Sequence, residues 1–192
     1  MNIFYLDRDP VVAAQMMVDK HVIKMILESA QMLCSAKRKL DGTPYYAKTK
    51  NGRKIKRYKL ENANEEAIIY KAGWLNHPST QWVMKSAYNY IWLYKHMMAL
   101  NDEYKLRYNH TKDHLTVEKL GELLRQPPKN INVRAIGTDA TPAMPDECIV
   151  PGDSVASYRK YYIMKKVRFA TWKAPSKMPQ WFKEGVENGV DI

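Results

Sequence analysis

The stretch from Thr80 to Tyr108 is apolar on almost every side of a helical projection, and it constrains the fold more than any other segment. A helix that lacks a polar face has to be surrounded by other elements, so we predict a long, buried central helix. No series of alternating segments typical of β-strands accompanies it in the sequence. The predicted fold class is therefore all-α, with a single compact helical domain over residues 1–192.

The flanking segments are divided at turn-forming residues. Asp9-Pro10 is typical of a helix start, and we predict a first helix from Pro10 to about Leu40 that stops at Asp41-Gly42. Residues 42–60 have no helical period and are predicted to form a basic flap or short hairpin. The remaining predicted elements are helices from Asn62 to about Trp74, from Thr111 to Leu124 and from a cap at Asp153 to about Ala170, a long loop over 126–152, and a docked tail over 175–192 that carries Trp181 and Phe182.

The positive charge of the chain is concentrated in two segments. The sequence has 31 Lys and Arg against 20 Asp and Glu, which gives a formal net charge of +11. Segments 42–60 and 154–177 contain many of these cations, contain no acidic residue, and interleave the cations with aromatic residues. Clustered cations bind phosphates by counterion release, and aromatic rings stack on bases. The pattern favours a nucleic-acid partner, with an anionic membrane surface or plain solubility as the alternatives.

Several classes of protein are excluded by simple counts. Two cysteines, Cys34 and Cys148, are too few for a disulfide framework or a cysteine zinc site. No apolar run approaches 18 residues, so we expect no membrane partner. The first residues lack the basic head and apolar length of a signal peptide, and we expect a protein of the reducing cytoplasm. No metal or cofactor is expected, and we expect a monomer.

Asp19 is the anomaly of the predicted first helix. A helical projection places it on the apolar face, where an acid is costly unless it is paired. It is therefore either a structural carboxylate with a permanent partner or a desolvated general base. His21 lies at the border of the same face, and Lys20 and Lys24 are close by. An acid, an imidazole and two cations thus fall within about a turn and a half of helix.

A second group of candidates lies along the predicted central helix. His77 stands at its positive end, where it could meet a phosphate or substrate or merely cap the helix. Trp82, Asn89 and His96 recur at intervals of seven and line one stripe, which core packing would also explain. A metal site from His77, His96 and Asp19 has no supporting spacing.

The third candidate segment is the proline-rich sequence Thr141–Cys148. Its prolines stiffen a loop that could expose Met144 as a wedge for a base stack and Asp146 as an acid. The same residues would also serve as a rigid connector, and this interpretation is slightly favoured.

Together these motifs resemble a known family. The order of Lys20-His21-Val22-Ile23-Lys24, a histidine that opens an aromatic-rich helix, and a basic, tyrosine-rich helix near the C-terminus resembles the small all-helical pyrimidine-dimer DNA glycosylases of phages, the endonuclease V type. Asp9-Pro10, Ala143-Met144-Pro145-Asp146-Glu147 and Tyr158-Arg159-x-Tyr161-Tyr162 also look like a tailed-phage family that often carries the same label. The resemblance implies the cytoplasm of a bacterium or phage-infected cell.

The resemblance also implies a mechanism. In that family an N-terminal amine, freed by removal of Met, attacks the sugar C1′, and a glutamate on the first helix assists. Here residue 2 is Asn, which is a poor context for removal of Met1. The glutamate's place falls on His21, which leaves Asp19 as the nearest acid. The Met1 amine could still form a Schiff base, because α-amines titrate near neutral pH. Otherwise water would attack, with Asp19 or Asp146 as base and no lyase step.

The predicted function is that of a DNA glycosylase that flips and excises a damaged or modified pyrimidine from double-stranded DNA, with or without AP-lyase activity. The alternatives are a phage DNA-hypermodification transferase that acts on a thymine 5-substituent, a non-catalytic DNA-binding protein, and an RNA-directed role. The predicted site consists of Asp19, His21 and Asp146 as catalytic residues, of His77, Trp82, Asn89 and Met144 as the substrate pocket, and of Lys20, Lys24, Lys54, Arg57, Arg159, Lys165, Lys166 and Arg168 as DNA contacts.

Overall fold

A computed structural model describes residues 1–189 of the chain. The described part is mostly helical, with one small two-stranded sheet. Its elements are α1 Pro10–Gln15, α2 Asp19–Asp41, β1 Thr43–Lys48, β2 Lys54–Lys59, α3 Ala63–Ile68, α4 Pro78–Lys85, α5 Ala87–Tyr108, α6 Leu115–Arg125, α7 Ser154–Lys166 and α8 Gln180–Glu187, with 3-10 turns at Asp146–Cys148 and Val167–Phe169.

The predicted first helix is interrupted. The start at Asp9-Pro10 is confirmed, because the Asp9 carboxylate accepts hydrogen bonds from the N–H groups of the first turn. The continuous helix to Leu40 is wrong, because α1 ends at Gln15 and α2 begins at Asp19. The Asp19 N–H donates to the Thr171 carbonyl at 2.9 Å rather than to its own helix. Asp19 therefore lies in the first turn of α2 and not in the middle of an apolar helix face.

The central helix is buried as predicted, but it is shorter. Ser86 separates α4 from α5, and its side chain caps α5 by accepting a hydrogen bond from the Asn89 N–H at 3.1 Å. Helix α5 packs against α1, α2, α4 and α6. Because of the break at Ser86, Trp82 belongs to α4 whereas Asn89 and His96 belong to α5. The predicted stripe of three residues along one helix is therefore wrong.

The basic segment 42–60 forms an antiparallel hairpin, so the fold is not purely all-α. Thr43 pairs with Lys59 and Lys48 with Lys54 across the two strands. Gly52 has φ +75° in the connecting turn, a conformation that glycine adopts without strain. The hairpin is followed by α3, which ends at Ile68; the predicted extension of this helix to Trp74 is wrong, and an irregular segment leads from Ile69 to α4.

The C-terminal third completes the hydrophobic core. The predicted cap at Asp153 is confirmed, because its carboxylate accepts a hydrogen bond from the Ala156 N–H at 2.9 Å. Tyr158, Tyr162 and Phe182 are buried in the same cluster as residues of α2 and α5. The tail is docked through α8 as far as it is described, and residues 190–192 of the predicted tail lie outside the described residues. No helix within residues 1–189 combines the length and apolar character needed to cross a bilayer.

Candidate active site

The first residues of the chain are held against the core in a fixed path. Ile3 and Leu6 are fully buried. The Asn2 side-chain oxygen accepts hydrogen bonds from the N–H groups of Ile3 and Phe4, at 2.7 and 3.1 Å. The Asn2 amide nitrogen donates to the Ala143 carbonyl at 2.8 Å. These bonds position the Met1 amine and bring the loop that contains Met144 next to it.

The Met1 amine lies beside a carboxylate. Its nitrogen is 3.7 Å from Glu28 Oε2, and the Asn2 N–H donates to the same oxygen at 3.0 Å. Lys24 Nζ lies 3.3 Å from the other Glu28 oxygen, one helical turn away. The Glu28 side chain is only 14% exposed, so this amine–carboxylate pair is largely shielded from solvent. An amine and a carboxylate in this arrangement are suited to nucleophilic attack with proton transfer.

His77 lies at the edge of the same site. It caps α4, and its Nδ1 accepts a hydrogen bond from the Ser79 N–H at 3.2 Å. Partial burial lowers the pKa of His77, and the positive charge of the Met1 amine lowers it further, whereas Glu28 opposes the shift. The lowered pKa favours the neutral imidazole form of His77.

Glu28 is the main residue that sequence reasoning missed. A helical projection places it with Lys20, Lys24 and Gln31 on the polar face of the first helix, which is typical of a solvated surface. The available signal was the first-helix glutamate that the resemblance implies, whose place in the sequence falls on His21. Only the path of residues 1–3 across α2 shows that Glu28 is covered by the start of the chain.

A cationic and aromatic surface continues from this centre along α2. Lys24 has a side chain that is 66% exposed. Lys20 lies 5.3 Å over the Phe169 ring, and Arg168 lies 5.8 Å from the same ring. Lys166 donates to the Tyr161 hydroxyl at 3.1 Å. These four cations, Lys20, Lys24, Lys166 and Arg168, are called the α2–α7 cationic surface below.

The other residues predicted to contact DNA differ in how exposed they are and in whether they already have a partner in the folded chain. Arg159 donates to the Leu6 carbonyl at 3.0 Å and to the Asp7 carboxylate at 3.3 Å, so it ties α7 to the N-terminal segment. Lys165 is paired with Glu147 at 2.9 Å. The hairpin residue Lys54 lies 4.1 Å over the Tyr46 ring and is exposed. Arg57, also on the hairpin, is half-buried and lies 3.4 Å from the Ala72 carbonyl.

The family model for pyrimidine dimer DNA glycosylases matches residues 1–116. The chain belongs to this family. Comparison with curated proteins and with solved structures gave no match. Membership in the pyrimidine dimer DNA glycosylase family implies a glycosylase that acts on DNA. The matched residues include Met1, Lys24, Glu28 and His77, whereas α7 and α8 lie beyond them.

Asp19 occupies a structural position in this glycosylase family member. Its Oδ1 accepts hydrogen bonds from Arg107 at 3.1 Å and from the Lys173 N–H at 3.0 Å. The Arg107 side chain is fully buried and the Asp19 side chain is 7% exposed. This geometry favours the alternative of a permanently paired carboxylate over that of a general base.

His21 is packed between aromatic rings. Its ring stacks on Phe4 with centroids 4.2 Å apart, and its Nδ1 is 2.6 Å from the Tyr162 hydroxyl. Burial lowers its pKa to about 3, with a further contribution from the charges of Lys166 and Lys24. His21 is thus neutral at physiological pH, and its contacts position Phe4 and the N-terminal segment.

The remaining predicted site residues are the pocket residues Trp82, Asn89 and Met144 and the catalytic candidate Asp146. Trp82 and Asn89 are buried and bind the loop at Thr138: Trp82 Nε1 donates to its carbonyl at 3.0 Å, and Asn89 accepts from its N–H at 3.1 Å. Met144 is half-buried and follows Ala143, whose carbonyl accepts the hydrogen bond from the Asn2 side chain. Asp146 is exposed in the 3-10 turn of the same loop.

Proposed function

We propose that this protein is a DNA glycosylase and AP lyase that uses the Met1 amine as its nucleophile and Glu28 as its proton acceptor to remove a damaged or modified pyrimidine from double-stranded DNA. One observation carries the proposal: the Met1 nitrogen lies 3.7 Å from a shielded glutamate carboxylate. The membership of the chain in the pyrimidine dimer DNA glycosylase family supports the same reaction.

In the proposed reaction the Met1 ammonium group first gives a proton to solvent, and the lone pair of the resulting neutral amine then attacks C1′. The N-glycosidic bond breaks, the base leaves with the bonding electrons, and it takes a proton from solvent. Glu28 accepts the proton that the attacking nitrogen releases. Cleavage of the C1′–O4′ bond, with protonation of O4′, then gives an imine on the opened sugar. Loss of a proton from C2′ eliminates the 3′ phosphate and nicks the strand.

The cations around the Met1 amine and Glu28 would provide the phosphate contacts that such a reaction needs. Two members of the α2–α7 cationic surface, Lys20 and Lys24, lie on the same helix as Glu28, so phosphates bound there would place the target sugar near the amine. The exposed cations of the hairpin would contact the backbone further along the duplex. Arg159 is paired with Asp7 and Lys165 with Glu147, so we propose no direct phosphate contact for these two cations.

The proposal is tested with three DNA substrates: UV-irradiated duplex, phage DNA that contains modified pyrimidines, and unmodified duplex. We expect abasic sites and nicks on one of the first two. Borohydride on that substrate should trap a covalent adduct, which peptide mass spectrometry should map to residue 1. Glu28→Gln should lower turnover by about 100-fold or more, as expected for loss of a general base, with little change in duplex affinity.

A matched control is Glu122→Gln, the same change on an exposed glutamate of α6, which should leave turnover unchanged. An adduct that maps to a lysine would refute the role of the amine. A heavier nucleoside with an intact glycosidic bond would identify a transferase. Tight duplex binding without any product would leave a DNA-binding protein only.

A further inference from the structure

A small cavity is lined in part by Met1, the residue that carries the amine. Its volume is about 240 Å³, and it lies between α2 and the irregular segment that precedes α4. Its lining includes Met1, Gln31, Tyr70 and Trp74. The volume is below the range of pockets for drug-sized ligands, which suits a group of about one ring system.

The wall of the cavity is fixed to α2 by hydrogen bonds. The Gly73 N–H donates to the Ser35 hydroxyl at 3.1 Å. Arg38 Nε donates to the Tyr70 carbonyl at 2.7 Å, and the Arg38 side chain is 4% exposed. Two residues that precede Trp74 are therefore anchored to α2, which holds this part of the cavity wall in place.

Trp74 is held in an unfavourable position at the rim. It is 70% exposed, which is unusual for the largest apolar side chain. Its backbone has φ +53°, in the left-handed region that residues other than glycine rarely adopt. Its carbonyl accepts a hydrogen bond from the His77 N–H at 2.9 Å, which links it to the active site. Strain and exposure of this kind are found together where a side chain contacts a ligand.

Gln31 supplies one of the polar side chains of the cavity, which Ser35 and Lys71 also line. Gln31 lies one helical turn after Glu28, so both side chains project from the same side of α2. It is half-buried, and its amide carries both hydrogen-bond donors and an acceptor. An amide of this kind can read the edge of a base, which also presents donors and acceptors.

We propose that this cavity receives a single pyrimidine base of the reacting nucleotide after the base has left the duplex, with Trp74 stacked on its face and Gln31 hydrogen-bonded to its edge. The inference rests on the proposed function, because it places the sugar of that nucleotide at the Met1 amine. The ligand is a single base, which distinguishes it from a pair of cross-linked bases.

The experiment uses binding rather than turnover. The probes are two otherwise identical 15-base-pair duplexes, one fully paired and one with a central T·T mismatch, in which the thymine leaves the stack at lower cost. A fluorescent pyrimidine analogue at the mismatched position reports unstacking. We expect the wild type to prefer the mismatched duplex and to raise the analogue's fluorescence. Trp74→Ala should reduce this preference by about 5- to 150-fold, the value of one base–aromatic stack, with unchanged affinity for the paired duplex.

Trp74→Phe is the control, because it retains a stacking ring and should retain most of the preference and the fluorescence change. Since Trp74 is exposed, the variants should fold, and thermal melting verifies this. A mismatch preference that survives in Trp74→Ala overturns the inference, and so does a wild type that neither prefers the mismatch nor unstacks the analogue. Loss of turnover in Glu28→Gln is measured separately. A failure of the cavity assignment therefore leaves the proposed function intact, and a failure of the proposed catalytic role of Glu28 is detected independently of the cavity.

Discussion

Arg107→Met is expected to lower the free energy of unfolding by about 3 to 5 kcal/mol, because it leaves two buried carboxylates without their cation. Arg107 donates to Asp19 at 3.1 Å, to Glu103 at 2.7 Å, and to the carbonyls of Met17 and Gln15 at 2.7 and 2.8 Å. Its own side chain is fully buried, and those of Asp19 and Glu103 are 7% and 9% exposed. Methionine fills a similar volume but satisfies none of these acceptors.

Asp19→Asn, which changes a partner of Arg107, is expected to lower the free energy of unfolding by a smaller amount. Asp19→Asn retains an oxygen that can accept from the Lys173 N–H, and Arg107 keeps Glu103, so the loss should be about 1.5 to 3 kcal/mol, the value of a charged hydrogen bond. In the double variant the two losses should not add. We expect a coupling free energy of about 0.5 to 3 kcal/mol between Asp19 and Arg107, as for residues in direct contact.

The measurement is urea unfolding followed by circular dichroism, with the two single variants and the double variant at one pH. Arg125→Met on α6 is the matched control: its pair with Glu122 is exposed, and the change should be below about 0.5 kcal/mol. An Arg107→Met protein as stable as the control would refute the reasoning. Asp19→Asn also separates the two roles of this residue, because it should keep turnover at a temperature where it remains folded.

Three further predictions concern stability and binding. Burial lowers the pKa of His21 to about 3 and that of His96 to about 4. Each neutral histidine therefore contributes stability that is complete above pH ~6.5 and is lost as the pH falls, because the unfolded chain then binds the proton more readily. Each should lower the free energy of unfolding by about 2 kcal/mol at pH 5 relative to pH 8, as measured by urea unfolding of the wild type and of a variant without that histidine. Gly42→Ala should destabilise by about 1 to 3 kcal/mol, because a Cβ there would lie 2.5 Å from the Arg38 carbonyl oxygen, whereas Gly73→Ala, with open space, should change thermal stability little. Replacing the lysines of residues 48–56 by glutamine should reduce the slope of log K against log salt by about 0.9 for each phosphate that the hairpin no longer neutralises, and an unchanged slope would exclude the hairpin from the interface.

Local signals in the sequence predicted three helix ends correctly. Asp9 and Asp153 cap the starts of α1 and α7 with their carboxylates, and Gly42 follows the end of α2. All three lie at the helix ends where they were predicted. The interruption between α1 and α2 could not be predicted in this way. It depends on Arg107 and on the Thr171 carbonyl, which lie far away in the sequence and take the place of helical hydrogen bonds.

The candidate site was predicted only in part, because some of its contacts join residues that are far apart in the sequence. His77, Met144 and Lys24 were chosen from their motifs: Lys24 shares Glu28 with the Met1 amine, the charge of that amine lowers the pKa of His77, and Met144 follows the residue that Asn2 contacts. Glu28 was missed, because the period of the helix assigns it to solvent and only the path of the N-terminal segment covers it. Asp19 was favoured as a reactive group because its partner, Arg107, is 88 residues away and gives no signal in the local sequence.

The bonds between the two ends of the chain determine how it can be divided for study. Trp172 donates to the Met16 carbonyl at 3.1 Å, the Lys173 N–H binds Asp19, and Arg159 binds the Leu6 carbonyl. A fragment that stopped at residue 116, where the family match ends, would lack all three bonds and would also lack the core residues Tyr158, Tyr162 and Phe182. We therefore expect that residues 1–116 do not fold alone, and truncated versions should be designed to keep α7 and the residues up to α8.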